Sequence, residues 1–128
     1  MSRQPLVLLV AGDRLASRHA RQGLEGYGYD VLMAGNIEEA RSLLGTEKRI
    51  SILVLDIKLD NVAYEMSLAK LARINAPSLQ VIYTCGVPYR LPDREKVKGA
   101  PCLRTPYHPH QLVSVIGQMS GRSESNAA

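Results

Sequence analysis

Five short runs of consecutive apolar residues, separated by stretches with helical periodicity, constrain the fold of this chain more than any other feature. Such runs are typical of strands that are covered on both faces, and therefore of a parallel rather than an antiparallel sheet. In chain order the runs are Leu6–Val10, Tyr29–Met33, Ile50–Leu55, Leu79–Tyr83 and, more weakly, Pro101–Arg104. Strands and helices that alternate in this way predict a doubly wound α/β domain, with any ligand site at the carboxyl ends of the strands.

The stretches between the runs carry signals for four helices. The first is predicted to end near Gly26, and Asn36 with Glu39 resembles a capping box that opens the second. A third helix is predicted over Val62–Asn75, and Pro109 suits the first turn of the last one. The inner face of the first helix is predicted from the spacing of Leu15, His19, Ala20, Leu24 and Tyr27.

Two segments depart from this regular alternation. In Val87–Lys98, Pro88 and Pro92 lie four residues apart, and an interior proline costs a helix about 3 kcal/mol. We therefore expect a loop followed by a short or late-starting helix there. Residues 121–128 are small and polar, so we expect residues 1–120 to form one domain and residues 121–128 a flexible tail.

Composition narrows the class of protein further. The chain has 128 residues, 45% of them hydrophobic, and no apolar stretch near the roughly 18 residues of a membrane span. Its 16 basic and 12 acidic residues are scattered, which argues against direct binding of nucleic acid. Cys85 and Cys102 form neither a zinc-ligand cluster nor a disulfide framework, which favours a reducing, cytoplasmic setting. Two small buried hydrophobic residues are the simpler interpretation of these cysteines, and a redox pair is the alternative.

Taken together and in order, five pieces of the sequence resemble the receiver domain of two-component response regulators over almost the whole chain. The pieces are Val7–Val10, Gly26–Val31, Ile52–Leu59, Val81–Thr84 and Leu103–Tyr107. The resemblance implies a flavodoxin-like fold, with a five-stranded parallel sheet of order 2-1-3-4-5 and helices on both faces. It also implies a signalling protein rather than an enzyme. Its partner would be a histidine kinase or an output protein, and a homodimer is left open.

The resemblance assigns two site residues that this chain keeps. Receiver domains accept a phosphoryl group on an Asp that follows the third strand, and Asp56 matches that acceptor. Thr84 matches the hydroxyl residue that follows the phosphoryl group during switching. The transfer needs Mg²⁺ to neutralise charge on the moving oxygens, and the family binds it with an adjacent acidic pair after the first strand.

The same resemblance shows three positions where the family's chemistry is lost. Ala11 and Gly12 stand at the acidic pair, and neither can bind Mg²⁺ through its side chain. Thr105, which is short and uncharged, stands where the family has a Lys that reaches the phosphoryl oxygens. Asp13 lies one residue too late for the pair, and capping the first helix is the commoner role of an Asp there.

Other departures point in the same direction. Asp60 replaces a usual Pro, Ala63-Tyr64 replaces the Asp-Gly that shapes the next loop, and Cys102 replaces the switch aromatic residue. We therefore expect that loop to be rebuilt. Lys58 and Arg14 are candidate charge partners of Asp56 in place of a metal ion.

These observations lead to one hypothesis and two alternatives. The hypothesis is a degenerate receiver domain that acts by protein–protein interaction, with no catalytic residue, metal or cofactor. The first alternative is a functional receiver that is phosphorylated on Asp56 by a histidine kinase and uses Mg²⁺. The second is a flavodoxin-like binder of a small ligand such as a nucleotide or flavin. The lack of Trp, Phe and a glycine-rich phosphate loop speaks against the second alternative.

Overall fold

Five strands form a single parallel sheet of order 2-1-3-4-5, numbered along the chain, as the resemblance to receiver domains implies. The computed structural model describes residues 5–58 and 62–127. The strands are β1 (Leu6–Val10), β2 (Asp30–Ala34), β3 (Ile50–Asp56), β4 (Gln80–Cys85) and β5 (Cys102–Arg104). The helices are α1 (Arg14–Gly26), α2 (Ile37–Thr46), α3 (Val62–Asn75) and α4 (Pro109–Ala127).

Both faces of the sheet are covered, which explains why the strands read as continuous apolar runs. On one face, Leu8 and Leu53 pack in a core that includes side chains of α2 and α3. On the other face, Val7 and Leu9 pack in a second core with side chains of α1 and α4. Alternate residues of a strand point to opposite faces, so a strand buried on both sides needs an apolar residue at every position.

The helix starts follow from capping residues that the sequence predicts. Asp13 caps α1, since its Oδ1 accepts hydrogen bonds from the N–H groups of Leu15 and Ala16, both at 3.1 Å. Asn36 caps α2, since its Oδ1 accepts the N–H of Glu39 at 2.9 Å. These side chains satisfy backbone donors that the first turn of a helix leaves without an intrahelical partner.

Between β4 and β5 the chain forms no α-helix, so the expected departure at the two prolines is confirmed, while the short or late-starting helix expected after it does not form. Two single turns of 3₁₀-helix, Pro88–Arg90 and Asp93–Glu95, stand there instead. The segment is nevertheless anchored to the core, since Leu91 and Val97 are buried. The Tyr83 hydroxyl accepts a hydrogen bond from the N–H of Val97 at 2.9 Å.

Helices α1 and α4 pack very closely where Gly23 faces Pro109. A Cβ atom built on Gly23 would overlap the Cβ of Pro109 and lie 3.1 Å from its Cγ. The absence of a side chain at Gly23 therefore allows the contact.

The backbone of α4 continues through residues 121–127, which the sequence predicts to be part of a tail. The flexibility of that tail stays a prediction. Among the described residues, none of the helices is long and apolar enough to cross a membrane.

Candidate functional site

Asp56 and Thr84 lie side by side because β3 and β4 pair in parallel with these two residues in register. The Thr84 hydroxyl donates a hydrogen bond to Asp56 Oδ1 at 2.8 Å. Thr84 is buried, and Asp56 is partly exposed at the end of its strand. The structure thus brings together the two site residues that the chain keeps, at the edge of the sheet where the α/β topology predicts a site.

The carboxyl group of Asp56 is held in an environment that disfavours its charge. Burial raises the pKa of Asp56, and the nearby carboxylate of Asp13 raises this pKa further. The hydrogen bond from Thr84 and the positive charge of Lys58 oppose this effect without cancelling it. Desolvation is therefore the dominant cause of the shift in pKa.

Lys58 lies across Gly12, one of the two positions that match the family's acidic pair. A Cβ atom built on Gly12 would overlap Lys58 Nζ and lie 2.9 Å from Lys58 Cε. The ammonium group therefore fills the space into which a carboxylate side chain at Gly12 would project. Lys58 acts on Asp56 through its charge, and the ion pairs within 4 Å in the described part of the chain do not join the two residues.

Arg14 and Thr105 lie on different sides of the site. Arg14 lines a cavity with Arg18 and Glu39, and the lining of that cavity does not include Asp56. As a charge partner of Asp56, Arg14 stays a prediction that this geometry does not support. Thr105 lines a separate cavity with Asp56, and it brings a hydroxyl group where the family has an ammonium group.

Tyr64 lies at the start of α3, and the rebuilding expected of the loop between β3 and α3 stays a prediction. Ala63 and Tyr64 lie in the first turn of α3, and Asp60 lies outside the described residues. The Tyr64 hydroxyl donates a hydrogen bond to Glu38 Oε1 and accepts one from Arg41 Nη2 at 3.2 Å. These contacts tie the start of α3 to α2.

Cys85 and Cys102 are both free thiols, on neighbouring strands β4 and β5. Cys85 is fully buried, and burial raises the pKa of the half-buried Cys102 thiol. A raised pKa lowers the fraction of reactive thiolate at neutral pH. This supports the interpretation of the pair as small core residues.

A cavity of about 460 Å³ opens between α1, α4 and the ends of the strands. Its polar lining residues are Asp13, Ser17, His19, Asp56, Thr84, Thr105 and Tyr107. The site predicted from the sequence did not include His19 or Tyr107. The helical spacing that placed His19 on the inner face of α1 was the available signal. Burial raises the pKa of Tyr107 to about 12, so its hydroxyl stays protonated at neutral pH.

The side chains at this edge do not fit a magnesium ion. Mg²⁺ needs several oxygen ligands in near-octahedral geometry. Asp56 offers one carboxylate, whereas Asp13 is engaged in capping α1 and the ammonium of Lys58 lies against Gly12. Within residues 5–58 and 62–127, no group of three or more His, Cys, Asp and Glu side chains could hold a metal ion.

Comparison with known proteins finds similar structures and no match to a family model or a curated protein. A CheY-like response regulator receiver domain protein from Methanospirillum hungatei JF-1 has a TM-score of 0.80 at 20% identity, over 97% of this chain and 99% of that one. An orphan response regulator of H. pylori has a TM-score of 0.76 at 17% identity, over 89% and 94% of the two chains. A response regulator receiver protein from Pseudomonas putida has a TM-score of 0.74 at 22% identity, over 92% and 99%. The chain therefore has the CheY-like, flavodoxin-like fold of response regulator receiver domains.

Proposed function

We propose that this protein is a degenerate receiver domain, a signalling module that works by protein–protein interaction without Mg²⁺-dependent phosphorylation of Asp56. The observation that carries the proposal is the position of Lys58, whose ammonium group fills the space beside Gly12 where the family has a metal-binding carboxylate. A positive charge in that space repels Mg²⁺ and offers it no ligand.

The loss of phosphotransfer rate expected from the missing charged groups supports the proposal. Phosphoryl transfer depends on positioning and on neutralising charge, because the protein does little covalent chemistry of its own. Removal of a single electrostatic donor from an active site typically costs about 10²–10³ in rate, roughly 2.7–4 kcal/mol. At Ala11, Gly12 and Thr105 this chain lacks two carboxylates and an ammonium group that the receiver family has at the matching positions. Such losses are not additive, but phosphotransfer at a useful rate is not expected.

The partner we propose is a protein of a two-component pathway, either a histidine kinase or an output protein, and the setting is the cytoplasm. The proposed role is recognition rather than catalysis. The rebuilt segment Val87–Lys98 gives the molecule a different surface beside β5 from that of a receiver with a regular helix there. The proposal also includes a second copy of the chain as a partner, which would form a homodimer.

Intact-mass measurement after treatment with a small phosphodonor and Mg²⁺ tests the proposal. We expect the folded wild-type protein to keep its mass. Asp56→Asn serves as the matched control, since it removes the acceptor and keeps the shape of the side chain. Addition of one phosphoryl group to the wild type, and not to Asp56→Asn, would establish a functional receiver and overturn the proposal.

A further inference from the structure

The cavity between α1 and α4 combines an apolar wall with a carboxyl group. Leu9, Ala16 and Pro109 contribute to the wall, and the Asp56 side chain reaches the cavity from the end of β3. Its volume of about 460 Å³ lies in the range of roughly 300–1,000 Å³ that is typical of small-molecule sites. We propose that this cavity binds a small organic cation, an ammonium or amidinium group carried on an apolar body. The proposal goes beyond the proposed signalling function and does not depend on it.

The charges around the cavity select for a cation. Its lining includes two carboxylic acids, Asp13 and Asp56, and it includes neither Lys nor Arg. Lys58, whose charge acts on Asp56, lies against Gly12 and lines a neighbouring cavity that Asp56 also borders. Within the described residues, none of the ion pairs includes Asp56. A bound positive charge therefore stabilises this partly buried carboxylate, because the local dielectric constant is lower than in water.

Hydrogen bonding leaves Asp56 able to accept further donors. Its Oδ1 accepts one hydrogen bond, from the Thr84 hydroxyl. An ionised carboxylate has about four acceptor sites on its two oxygens, so an ammonium group can donate to the same carboxylate. Charge-assisted hydrogen bonds of this kind are about twice as strong as bonds between neutral groups.

The rest of the lining fits the body of such a ligand. The wall is mainly apolar, and Tyr107 and His19 add aromatic rings. The ring of Tyr107 can attract an organic cation through its quadrupole when the cation lies over the ring face. The same lining disfavours a nucleotide or a flavin phosphate, because a phosphate group would meet Asp13 and Asp56 with no Lys or Arg in the lining to offset the repulsion.

Three probes with similar bodies separate the effect of charge from that of shape. These are phenethylamine, 2-phenylethanol and phenylacetate, each titrated into the full chain and followed by amide chemical shifts. We expect phenethylamine to bind saturably, with shifts at Asp56, Thr84 and Tyr107. The neutral alcohol should bind about tenfold more weakly or worse, since it lacks a charge-assisted bond to the carboxylate. Phenylacetate should not bind at this site.

Variants of the chain complete the test. Asp56→Asn should weaken phenethylamine binding by about tenfold or more. Asp93→Asn, at an exposed carboxylate in the segment between β4 and β5, is the matched control and should change nothing. Ala16→Leu should also weaken binding, because it narrows the cavity without altering its charge, and it keeps the test valid if Asp56→Asn fails to fold.

Two results would overturn the proposal. One is equal affinity for the amine and the alcohol, which would show a cavity that does not select for charge. The other is the absence of saturable binding by phenethylamine to the folded wild-type protein. Neither result bears on phosphorylation, which is measured separately by mass, so the failure of this proposal and that of the signalling proposal are distinguishable.

Discussion

Asp56 has a carboxyl group whose ionised form is destabilised in the folded protein. Burial raises the pKa of Asp56, and the contributions of Thr84 and Lys58 do not offset it. When a folded-state pKa lies above the unfolded value, the folded state binds more protons between the two values. The contribution of Asp56 to stability therefore falls as the pH rises through that window, and at neutral pH the buried charge is a cost.

The first prediction follows from the direction of this shift in the pKa of Asp56. Asp56→Asn should raise the melting temperature at neutral pH by a few degrees, corresponding to about 0.5–1 kcal/mol, because the amide keeps an acceptor for Thr84 and carries no charge. The gain should shrink as the pH falls through the raised folded-state pKa of Asp56, and it should be gone below about pH 4, where the wild-type carboxyl group becomes protonated in both states. Thermal melts of both proteins across this pH range check it. A gain that is independent of pH would contradict the argument, and Asp93→Asn is the control.

The second prediction concerns repair of the site. The sequence suggests that Ala11→Asp, Gly12→Asp and Thr105→Lys together restore the metal site and the missing cation. The structure adds a condition, since a side chain at Gly12 would overlap Lys58 Nζ. We expect Mg²⁺ to raise the melting temperature of the triple variant less than that of the triple variant with Lys58→Ala, because a ligand stabilises the state that binds it.

Phosphorylation of the two repaired variants by a small phosphodonor should follow the same order. An equal response of both variants to Mg²⁺ would show that Lys58 moves aside at no cost. No response from either folded variant would show that the segment at Tyr64 has reshaped the site beyond these positions.

The third prediction belongs to the contact between α1 and α4. Gly23→Ala adds a Cβ atom that would overlap Pro109, whose ring cannot rotate away. Overpacking costs about 1–3 kcal/mol and the better helix propensity of Ala returns about 1 kcal/mol, so we expect a net loss of up to about 2 kcal/mol in the free energy of unfolding. Gly117→Ala, at an exposed position of α4 with open space around it, is the matched control and should stabilise the protein. Urea denaturation of both variants checks it, and stabilisation by Gly23→Ala would contradict the proposed packing.

The fourth prediction belongs to the segment between β4 and β5. Tyr83→Phe removes the acceptor of the Val97 N–H group and leaves a buried donor without its partner. The expected cost is about 1–3 kcal/mol. Tyr89→Phe removes a hydroxyl from a side chain that is 85% exposed and should have no measurable effect. Equal stability of the two variants in urea denaturation would show that this hydrogen bond does not anchor the segment.

At the level of elements, the sequence was most informative where a pattern had a single physical cause. Runs of consecutive apolar residues predicted the strands, and a pair of prolines predicted the irregular segment Val87–Lys98. The apolar stripe of α1 was less reliable, since Leu15 and Tyr27 are 79% and 59% exposed while Leu24 is fully buried. Helical spacing identifies an apolar face, but it does not show how far along the helix other elements cover that face.

The candidate site likewise has some features that are visible in the sequence and others that depend on the folded structure. The loss of carboxylates at Ala11 and Gly12 is visible in the sequence, because a matched position either carries an oxygen ligand or does not. The placement of Lys58 over Gly12 depends on the conformation of a long side chain, and the contribution of His19 to the cavity depends on how α1 packs on the sheet. Local spacing gave no signal for the placement of Lys58, and for His19 it indicated the face of α1 but not the cavity.

For the molecule as a whole, stability rests on the two apolar cores rather than on ions. In the part of the chain that the structure describes, each ion pair has at least one exposed side chain, and such pairs are worth about 0–1 kcal/mol each. The cores, by contrast, cover both faces of the sheet with fully buried residues.

The fifth prediction is therefore that Mg²⁺ acts on the wild-type protein only as a salt. The melting temperature in MgCl₂ should equal that in NaCl of the same ionic strength, because a specific site would add stability by binding the folded state. A rise that saturates with Mg²⁺ and is absent in NaCl would reveal a metal site and contradict the degenerate interpretation.

The wall of the cavity between α1 and α4 also has a thermodynamic consequence. Five of its lining residues are alanine or proline: Ala11, Ala16, Ala20, Pro106 and Pro109. Such side chains have no rotamer freedom to lose, so covering them carries almost no conformational entropy cost. The entropy of binding in this cavity is then set largely by the ligand itself. Among organic cations of equal size, those with fewer rotatable bonds should bind more tightly.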